Sequence, residues 1–577
     1  MKKRALAIAA GTVALALGLS ACASTPTTSD SSSGAAGGVD FSKFSSINAQ
    51  PYSALKDGGS LNLSIGDFTA QLNRAHTDTS TDTSMMWFLY NPEVIKFTPE
   101  GELKPNPNYL TSVKDTEVDG NTVVTYEINP KAVFNDGTPI DVAAFKHTWQ
   151  LNNGSNPDLN VGSTDGWNQI TSVEAGKDDH EAVVTFDGAW PWWGGVFNFL
   201  LHPACDTAEC FNTGYLGDDL ASAHPEWGAG PYKLQSYDRN AGNAVFVKNE
   251  KWWGEPGKLD QITLTQREME ADLNAFSNGE ADSTIRFSAA ESLNKVKTVP
   301  GTQTRAGVAA GTYMLQLNVN SGVLKDINVR KAIMTAVDPQ QITDVRFQGM
   351  GYTEKQPGSL LLFTYQKGYE DNFAKVVAKP DPAAAKKILE DAGYALGSDG
   401  IYAKDGQPIH VAYTLFGDGA ANKAQAQVIQ SQLKSIGVDM EIVPKASADF
   451  SSVMASGDWQ MNFSGFSSSD PFGVAYTCQI WCSKDDPNYS GLNKSGTGTK
   501  ALDEKIHAME ALQTADEQIK AANAIEVEEF AQYGLMPVMN GPIMFQVKEG
   551  LANLGAAGFS GNGNPTGDFI ENIGWVK

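Results

Sequence analysis

Residues 313–342 read YMLQLNVNSGVLKDINVRKAIMTAVDPQQI and follow a recognisable order of residue types. Leu-Asn and a five-residue spacer precede the pattern hydrophobic-x-Asp-x-x-Val-Arg-x-Ala-hydrophobic, with the aspartate at position 326. On both sides of this stretch, from Leu61 onward, strand-like segments alternate with helix-like segments. This alternation predicts a mixed α/β fold.

Several neighbouring segments show the alternation clearly. TVVTYEI (122–128) puts every second apolar residue on one face of a strand. DPAAAKKILEDAGY (381–394) predicts a helix that Asp381 caps. The apolar spacing also predicts a helix over about 421–436 and one long helical stretch over about 502–533. These elements are expected to form the scaffold.

The N-terminal region predicts export and an anchor. The sequence LALGLSACAS (15–24) ends an apolar run that is too short for a bilayer span of about 20 residues, so 1–21 is expected to be a signal peptide. Leu19 to Cys22 resembles the lipobox of bacterial lipoproteins, which implies lipidation of Cys22; the alternative is an ordinary cleavage site with a chance cysteine. Residues 22–55 are expected to form a flexible tether.

Length and charge limit the classes of partner. Removing the signal peptide from the 577-residue chain leaves about 556 residues, which favours two or more lobes. The 43 basic residues then become 40 against 67 acidic ones, so the net charge falls from −24 to −27. Nucleic acid and anionic lipid are poor partners for such a chain. We expect an extracytoplasmic monomer that is held at the cell membrane through its N-terminal lipid.

The other four cysteines form two close pairs, Cys205 with Cys210 and Cys478 with Cys482. An even number of cysteines in an exported chain favours disulfides. Four cysteines allow three pairings, and the local one is the simplest. A zinc site is the alternative, but the spacings fit zinc knuckles poorly.

The chain lacks the common catalytic motifs, which predicts that it is not an enzyme. The chain has no Gly-x-Ser-x-Gly elbow and no His-Glu-x-x-His zinc helix. Its histidines show no ligand spacing, and no glycine-rich loop opens a helix to cradle a phosphate. We therefore expect no catalytic residues, no cofactor and no metal. An exported hydrolase remains the rival class.

Six segments in order resemble the family 5 extracellular solute-binding proteins, the oligopeptide and dipeptide receptors of ABC importers. Each corresponds to a family hallmark, and together they extend from about Leu61 to the end of the chain. The six segments are AVFNDGTPIDVAAFKHTWQ (132–150), the GAGPY to WWG region (228–264), the opening stretch (313–342), the Asp381 helix, IQSQLKSIGVDMEI (429–442) and SGDWQMNFSGFSSSDPFG (456–473).

The resemblance implies a two-lobed periplasmic-binding-protein-like α/β fold with mixed sheets, a hinge and a ligand cleft between the lobes. Lobe 1 is expected to comprise 56–310 plus 538–577, and lobe 2 to comprise 311–537. The implied function is capture of oligopeptides for delivery to the permease subunits of an ABC importer. An oligosaccharide is the alternative ligand within the family, and nickel is disfavoured because the histidines are not clustered.

The same resemblance suggests ligand contacts on the strand within NFSGFSSSD (462–470). In peptide-binding members this strand bonds the ligand backbone, and an aspartate three residues after the aromatic binds the ligand amine. Here the aromatic is Phe466, so Ser469 occupies that position and the acid follows as Asp470. Asp470 either reaches the amine or caps a turn before Pro471. The expected strand contacts are Gly465, Phe466, Ser467, Ser468, Ser469 and Asp470.

Four further residues are candidates for ligand contact. Trp192 and Trp193 in AWPWWGG could stack on sugar rings or line an apolar pocket, or they could pack inside the protein. Thr81 and Asp82 follow the first strand, where family members contribute first-lobe contacts, although surface positions are the alternative.

Overall fold

The computed structural model describes residues 39–41, 43–417, 419–468, 470–489, 492–561, 567 and 569–577. The predicted signal peptide, Cys22 and residues 23–38 of the predicted tether lie outside this part of the chain, and so does Ser469. No helix among the described residues is long and apolar enough to cross a membrane.

The regular elements alternate along the chain as the apolar patterns predict. Up to residue 266 they are β1 (Ser60–Ile65), α1 (Thr81–Tyr90), β2 (Ile95–Phe97), β3 (Leu103–Pro105), β4 (Leu110–Val118), β5 (Asn121–Ile128), α2 (Val142–Asn152), β6 (Ile170–Ala175), β7 (Glu181–Phe186), β8 (Tyr232–Asp238), β9 (Asn243–Lys248) and β10 (Gln261–Gln266). Then follow α3 (Met269–Ser277), α4 (Ala290–Val296), β11 (Thr302–Val308), β12 (Gly311–Leu317), α5 (Ile327–Ala336), α6 (Pro339–Arg346), α7 (Pro382–Asp391), β13 (Ala395–Leu396), β14 (Tyr402–Lys404), β15 (Gln407–Pro408), β16 (His410–Phe416), α8 (Ala420–Ser435), β17 (Asp439–Lys445), α9 (Phe450–Ser456), β18 (Met461–Ser467), α10 (Thr477–Trp481), α11 (Lys500–Glu510), α12 (Ala515–Phe530), β19 (Leu535–Met539), β20 (Pro542–Lys548), β21 (Leu551–Ala552) and β22 (Gly574–Trp575).

The larger sheets mix parallel and antiparallel pairs. One has the strand order β1-β10-β9-β8, in which β1 and β10 are parallel, and a second, antiparallel sheet has the order β4-β5-β7-β6. The third has the order β17-β16-β18-β12-β19. In it, β16 runs parallel to both β17 and β18, whereas β12 is antiparallel to β18 and β19. The predicted mixed α/β class is confirmed.

Two large hydrophobic clusters organise the described residues. The first core combines buried residues between 61 and 264 with C-terminal ones between 545 and 573. The second core combines buried residues between 273 and 544 with Trp192. Strand β20 pairs antiparallel with β11 and supplies both cores, Met544 to the second and Phe545 to the first. The C-terminal segment therefore returns to the first core after the second one is complete.

The stretch 313–342 forms β12, a turn and α5 in the second core. Asp326 caps α5, since its carboxylate accepts a 2.9 Å hydrogen bond from the Asn328 N–H. The buried Arg330 donates to the carbonyl oxygens of Leu324 and Gln532, which ties the turn and the end of α12 to this helix. Asp326 and Arg330 thus stabilise the fold of this stretch.

The local predictions hold where local signals are strong. Strand β5 buries alternate residues, and Asp381 caps α7 by accepting from the Ala384 N–H. The long helix predicted over 502–533 is wrong, because α11 ends at Glu510 and α12 begins at Ala515. Thr514 and Glu517 form a capping box, which begins α12 as a separate helix.

The N-terminal segment pairs with the C-terminal segment before the first strand. Ser46 forms a bridge with Ala556, and Leu55, which is fully buried, forms one with Val576. The last part of the predicted tether is therefore packed against the C-terminal segment.

Candidate functional site

Strand β18 has one open edge. It pairs with β12 along its whole length, whereas β16 pairs with it only at Met461 and Asn462. From 463 to 467 no other strand of the described chain lies on the β16 side. An edge of this kind can accept an extended peptide as an additional strand through main-chain hydrogen bonds.

The structure exposes part of the predicted ligand-binding strand. Gly465 and Ser467 are exposed, and Phe466 and Ser468 are half-buried. Ser469 lies outside the described residues. These side chains alternate between the two faces of the sheet, as expected for a strand.

An aromatic pair lies next to this edge. Tyr313 of β12 is directly opposite Gly465 in the register, and its ring stacks on that of Phe463 with an interplanar angle of 8°. The side chain of Tyr313 is 40 % exposed. The absence of a side chain at Gly465 leaves the Tyr313 ring open, which provides an apolar surface beside the edge.

Asp470 is buried and caps a turn. It is 4 % exposed; its Oδ1 accepts a 2.8 Å hydrogen bond from the Phe472 N–H, and its Oδ2 accepts from the Tyr476 hydroxyl. Burial raises the pKa of the Asp470 carboxyl, the bonds from Tyr476 and Phe472 oppose the rise, and the charge of Asp165 adds to it. Of the two predicted roles, this geometry matches the turn cap before Pro471.

Thr81 and Asp82 line a cavity of about 380 Å³ at the start of α1. Asp82 Oδ2 accepts a 2.9 Å hydrogen bond from the Asp67 N–H, which holds the loop after β1. Burial raises the pKa of Asp82, while the Asp67 N–H and the charge of Arg286 favour the ionised form. The remaining lining residues are Leu63, Ser64, Gly66, Ser80, Met85, Thr284, Ile285, Arg286 and Phe545.

The two candidate tryptophans make contacts inside the protein. Trp192 is 8 % exposed, and its Nε1 donates a 2.7 Å hydrogen bond to Oε1 of Gln518 on α12. Trp193 is half-buried and packs edge-on against Tyr126 in the first core. The structure therefore separates these neighbours, one against each core.

The segment that follows β18 contacts residues from earlier parts of the chain. The Phe472 ring lies 5.5 Å from that of Phe97 and 5.9 Å from that of Trp192. A few residues later, the Gln479 amide donates to the carboxylate of Asp165. Asp470 thus lies beside the contacts that this segment makes with Phe97, Asp165 and Trp192.

Both cysteine pairs lie at bonding distance in the local arrangement. The S–S distance is 1.99 Å for Cys205 and Cys210 and 2.13 Å for Cys478 and Cys482. Asp486 lies close enough to the second pair to complete a three-ligand group. A disulfide within each pair would leave no free thiolate for a metal.

Sequence reasoning missed Tyr313, Arg286 and Gln518. Tyr313 carries no signal in the sequence, because its exposure within an otherwise buried strand is seen only in the folded chain. Arg286 and Gln518 carry none, because their roles depend on partners about 200 to 330 positions away in the chain. Only the folded chain brings them into position.

The comparisons with known proteins decide the family. The family model described as bacterial extracellular solute-binding proteins, family 5, matches residues 104–488. The chain belongs to this family. Family 5 proteins are extracytoplasmic receptors that bind solutes for ABC importers, and they are not enzymes. The recognition made from the six segments is confirmed, as is the expectation of a non-enzymatic protein.

Relatives in family 5 differ in the ligand that their names state. The chain is 31 % identical over 526 residues to an oligopeptide-binding protein OppA of Mycobacterium tuberculosis, covering 89 % of this chain and 85 % of the relative. It is 24 % identical over 388 residues to the nickel-binding periplasmic protein of Escherichia coli, covering 64 % and 68 %.

Solved structures of similar proteins establish the fold. A periplasmic EDTA-binding protein, EppA, superposes with a TM-score of 0.82 at 23 % identity, covering 93 % of this chain and all of that one. The oligopeptide-binding protein AppA of Bacillus subtilis, in complex with a nonapeptide, gives a TM-score of 0.69 at 18 % identity, covering 91 % and 100 %. The chain has the predicted two-lobed fold of periplasmic binding proteins.

Proposed function

We propose that this family 5 receptor binds oligopeptides in the cleft between its lobes and delivers them to the permease of an ABC importer. The open edge of β18 carries the proposal, because it offers main-chain groups from 463 to 467 to an extended chain. The 31 % identity to an oligopeptide-binding protein over 89 % of the chain supports the same ligand class.

The tryptophans give no support to a sugar ligand. Sugar stacking requires a free indole face. The Trp192 indole is buried, donates a hydrogen bond to Gln518 and lies against the ring of Phe472. Trp193 packs on Tyr126. The proposed ligand contacts are therefore Thr81 and Asp82 on one side of the cleft and Gly465 to Ser468 on the other.

The lobes, anchor and disulfides complete the proposal. We assign 56–310 plus 538–577 to lobe 1 and 311–537 to lobe 2, with β11 and β20 at the hinge. Signal cleavage before Cys22 and lipidation of that cysteine would keep a monomeric receptor beside its permease. The pairs Cys205–Cys210 and Cys478–Cys482 would form disulfides after export.

Backbone-modified peptides test the proposed binding mode. Mass spectrometry of molecules released from the purified protein identifies a bound peptide, whose affinity is then measured calorimetrically. N-methylation of single amides should weaken binding strongly at alternate positions and little at the positions between them, because only alternate N–H groups face the β18 edge. Binding of neutral sugars without peptide binding would contradict the function, and uniform tolerance of N-methylation would contradict the strand pairing.

A further inference from the structure

We infer that the cavity at the start of α1 receives the carboxyl terminus of the bound peptide, and that Arg286 binds its carboxylate. The inference rests on the proposed peptide function and adds a terminal anchor to it. The cavity is lined by Thr81 and Asp82 and by no residue of β18.

The cavity is built from segments distant in sequence. Its walls come from the end of β1, the first turns of α1, residues 284–286 and Phe545 of β20. The volume of about 380 Å³ is at the small end of the range of ligand pockets, roughly 300–1,000 Å³. This space suits one end of a peptide rather than a whole oligopeptide.

The guanidinium N–H groups of Arg286 are available to a ligand. The side chain is exposed, and within the described chain it makes neither a hydrogen bond nor an ion pair within 4.0 Å. Arg305 and Arg330, by contrast, are satisfied by backbone carbonyl oxygens. A guanidinium has five N–H donors in a planar fork that matches a carboxylate in two parallel bonds.

Asp82, which also lines the cavity, disfavours a ligand anion with more than one negative charge. Asp82 is near enough to feel the charge of Arg286, but its Oδ2 is engaged by the Asp67 N–H. A phosphate with two negative charges would be repelled by Asp82 and by a chain of net charge −24. A single carboxylate bonded to Arg286 leaves room for a neighbouring ligand N–H to face Asp82.

The other walls favour an apolar last residue. Leu63, Met85 and Phe545 are buried apolar residues that line the cavity. Ser64, Ser80 and Thr284 also line it. The structure therefore points to peptides with a free carboxyl terminus and an apolar terminal side chain.

The test compares one co-purifying peptide as its free acid and as its C-terminal amide. Wild-type protein should bind the acid at least tenfold more tightly. Arg286→Gln should weaken acid binding at least tenfold and change amide binding less than twofold, because the amide lacks the charge that Arg286 recognises. Arg286→Lys should restore part of the preference for the acid. The matched control is Arg346→Gln, which removes an arginine that contacts Asn422 of α8 and does not line the cavity, and it should change neither affinity.

The outcomes separate this inference from the proposed function. Equal binding of acid and amide to the wild type, or an equal loss of both in Arg286→Gln, overturns the carboxylate anchor and leaves peptide binding intact. A wild-type protein that binds no peptide removes the function and the anchor together. The melting temperature of each variant verifies that it is folded.

Discussion

Trp192 Nε1 and Gln518 Oε1, which lie 326 positions apart in the chain, form a 2.7 Å hydrogen bond in a buried environment. Gln518 is oriented for this contact, since its Nε2 donates to the carbonyl oxygens of Glu510 and Leu512. These two residues lie at the end of α11 and in the turn before α12. The bond joins a loop that follows β7 to the second core. Because the neighbouring Trp193 packs in the first core, this bond also links the two cores.

The first prediction concerns this bond. Trp192→Phe leaves a buried acceptor unpaired, which should lower the free energy of unfolding by about 1–3 kcal/mol. It should also increase the radius of gyration of the unliganded protein, because a contact that links the two cores is lost. Urea unfolding and small-angle scattering measure the two effects.

Trp149→Phe is the matched control for this variant. Its indole donates to the Trp167 carbonyl oxygen, and both residues pack in the first core. The control should lose stability without changing the radius of gyration. An unchanged radius in Trp192→Phe would show that the bond does not contribute to closure.

The second prediction concerns Glu529, which is fully buried in α12. Burial raises its pKa to about 9, with the charges of Asp503 and Glu528 adding to the shift. Between pH 4.5 and 9 the folded state holds a proton that the unfolded state lacks, so raising the pH through this window lowers stability.

Replacing this acid should remove part of the pH dependence. At pH 8, Glu529→Gln should be more stable than the wild type by at least about 1.4 kcal/mol, the equivalent of one pKa unit. Near pH 4.5 the difference should vanish. Melting temperatures across this range measure it, and Glu528→Gln, whose side chain is half-exposed and paired with Lys505, is the control. Parallel pH profiles for wild type and Glu529→Gln would contradict the assignment.

The third prediction separates the two roles of Asp470. Because its carboxylate is occupied by the Phe472 N–H and the Tyr476 hydroxyl, Asp470→Asn should lower stability by about 1–2 kcal/mol. Tyr476→Phe should have a similar effect. The ratio of affinities for a free and an N-acetylated peptide should stay the same in both variants. A ratio that collapses only in Asp470→Asn would assign the ligand amine to this carboxylate.

The fourth prediction concerns Cys22. Acylation at this position should give a membrane-bound protein that incorporates a fatty-acid probe, since two or three acyl chains hold a soluble receptor firmly. Cys22→Ala should abolish labelling and release or misprocess the protein. Cys478→Ala is the control for loss of a cysteine elsewhere and should remain labelled. Unchanged labelling of Cys22→Ala would refute the anchor.

The sequence determined those features whose causes lie within a few residues. The Asp381 cap and the alternation in β5 act over one helical turn or one strand, so they were predictable. The order of six family segments likewise predicted the α/β class and the solute-binding family. The break between α11 and α12 was missed because apolar spacing continues across it, although the Thr514 capping signal was present.

Tertiary structure alone decided what the site residues contact. Asp470 lies one residue after the family's amine-binding position and just before a proline, so the sequence left both roles open, and only the fold places its carboxylate against the Tyr476 hydroxyl. The adjacent Trp192 and Trp193 are alike in sequence, yet one is bonded to Gln518 and the other packs on Tyr126. The cavity beside Arg286 exists because β1, α1 and β20 meet there. Local residue patterns carry no information about such partners, since chain folding alone brings distant segments together and removes them from water.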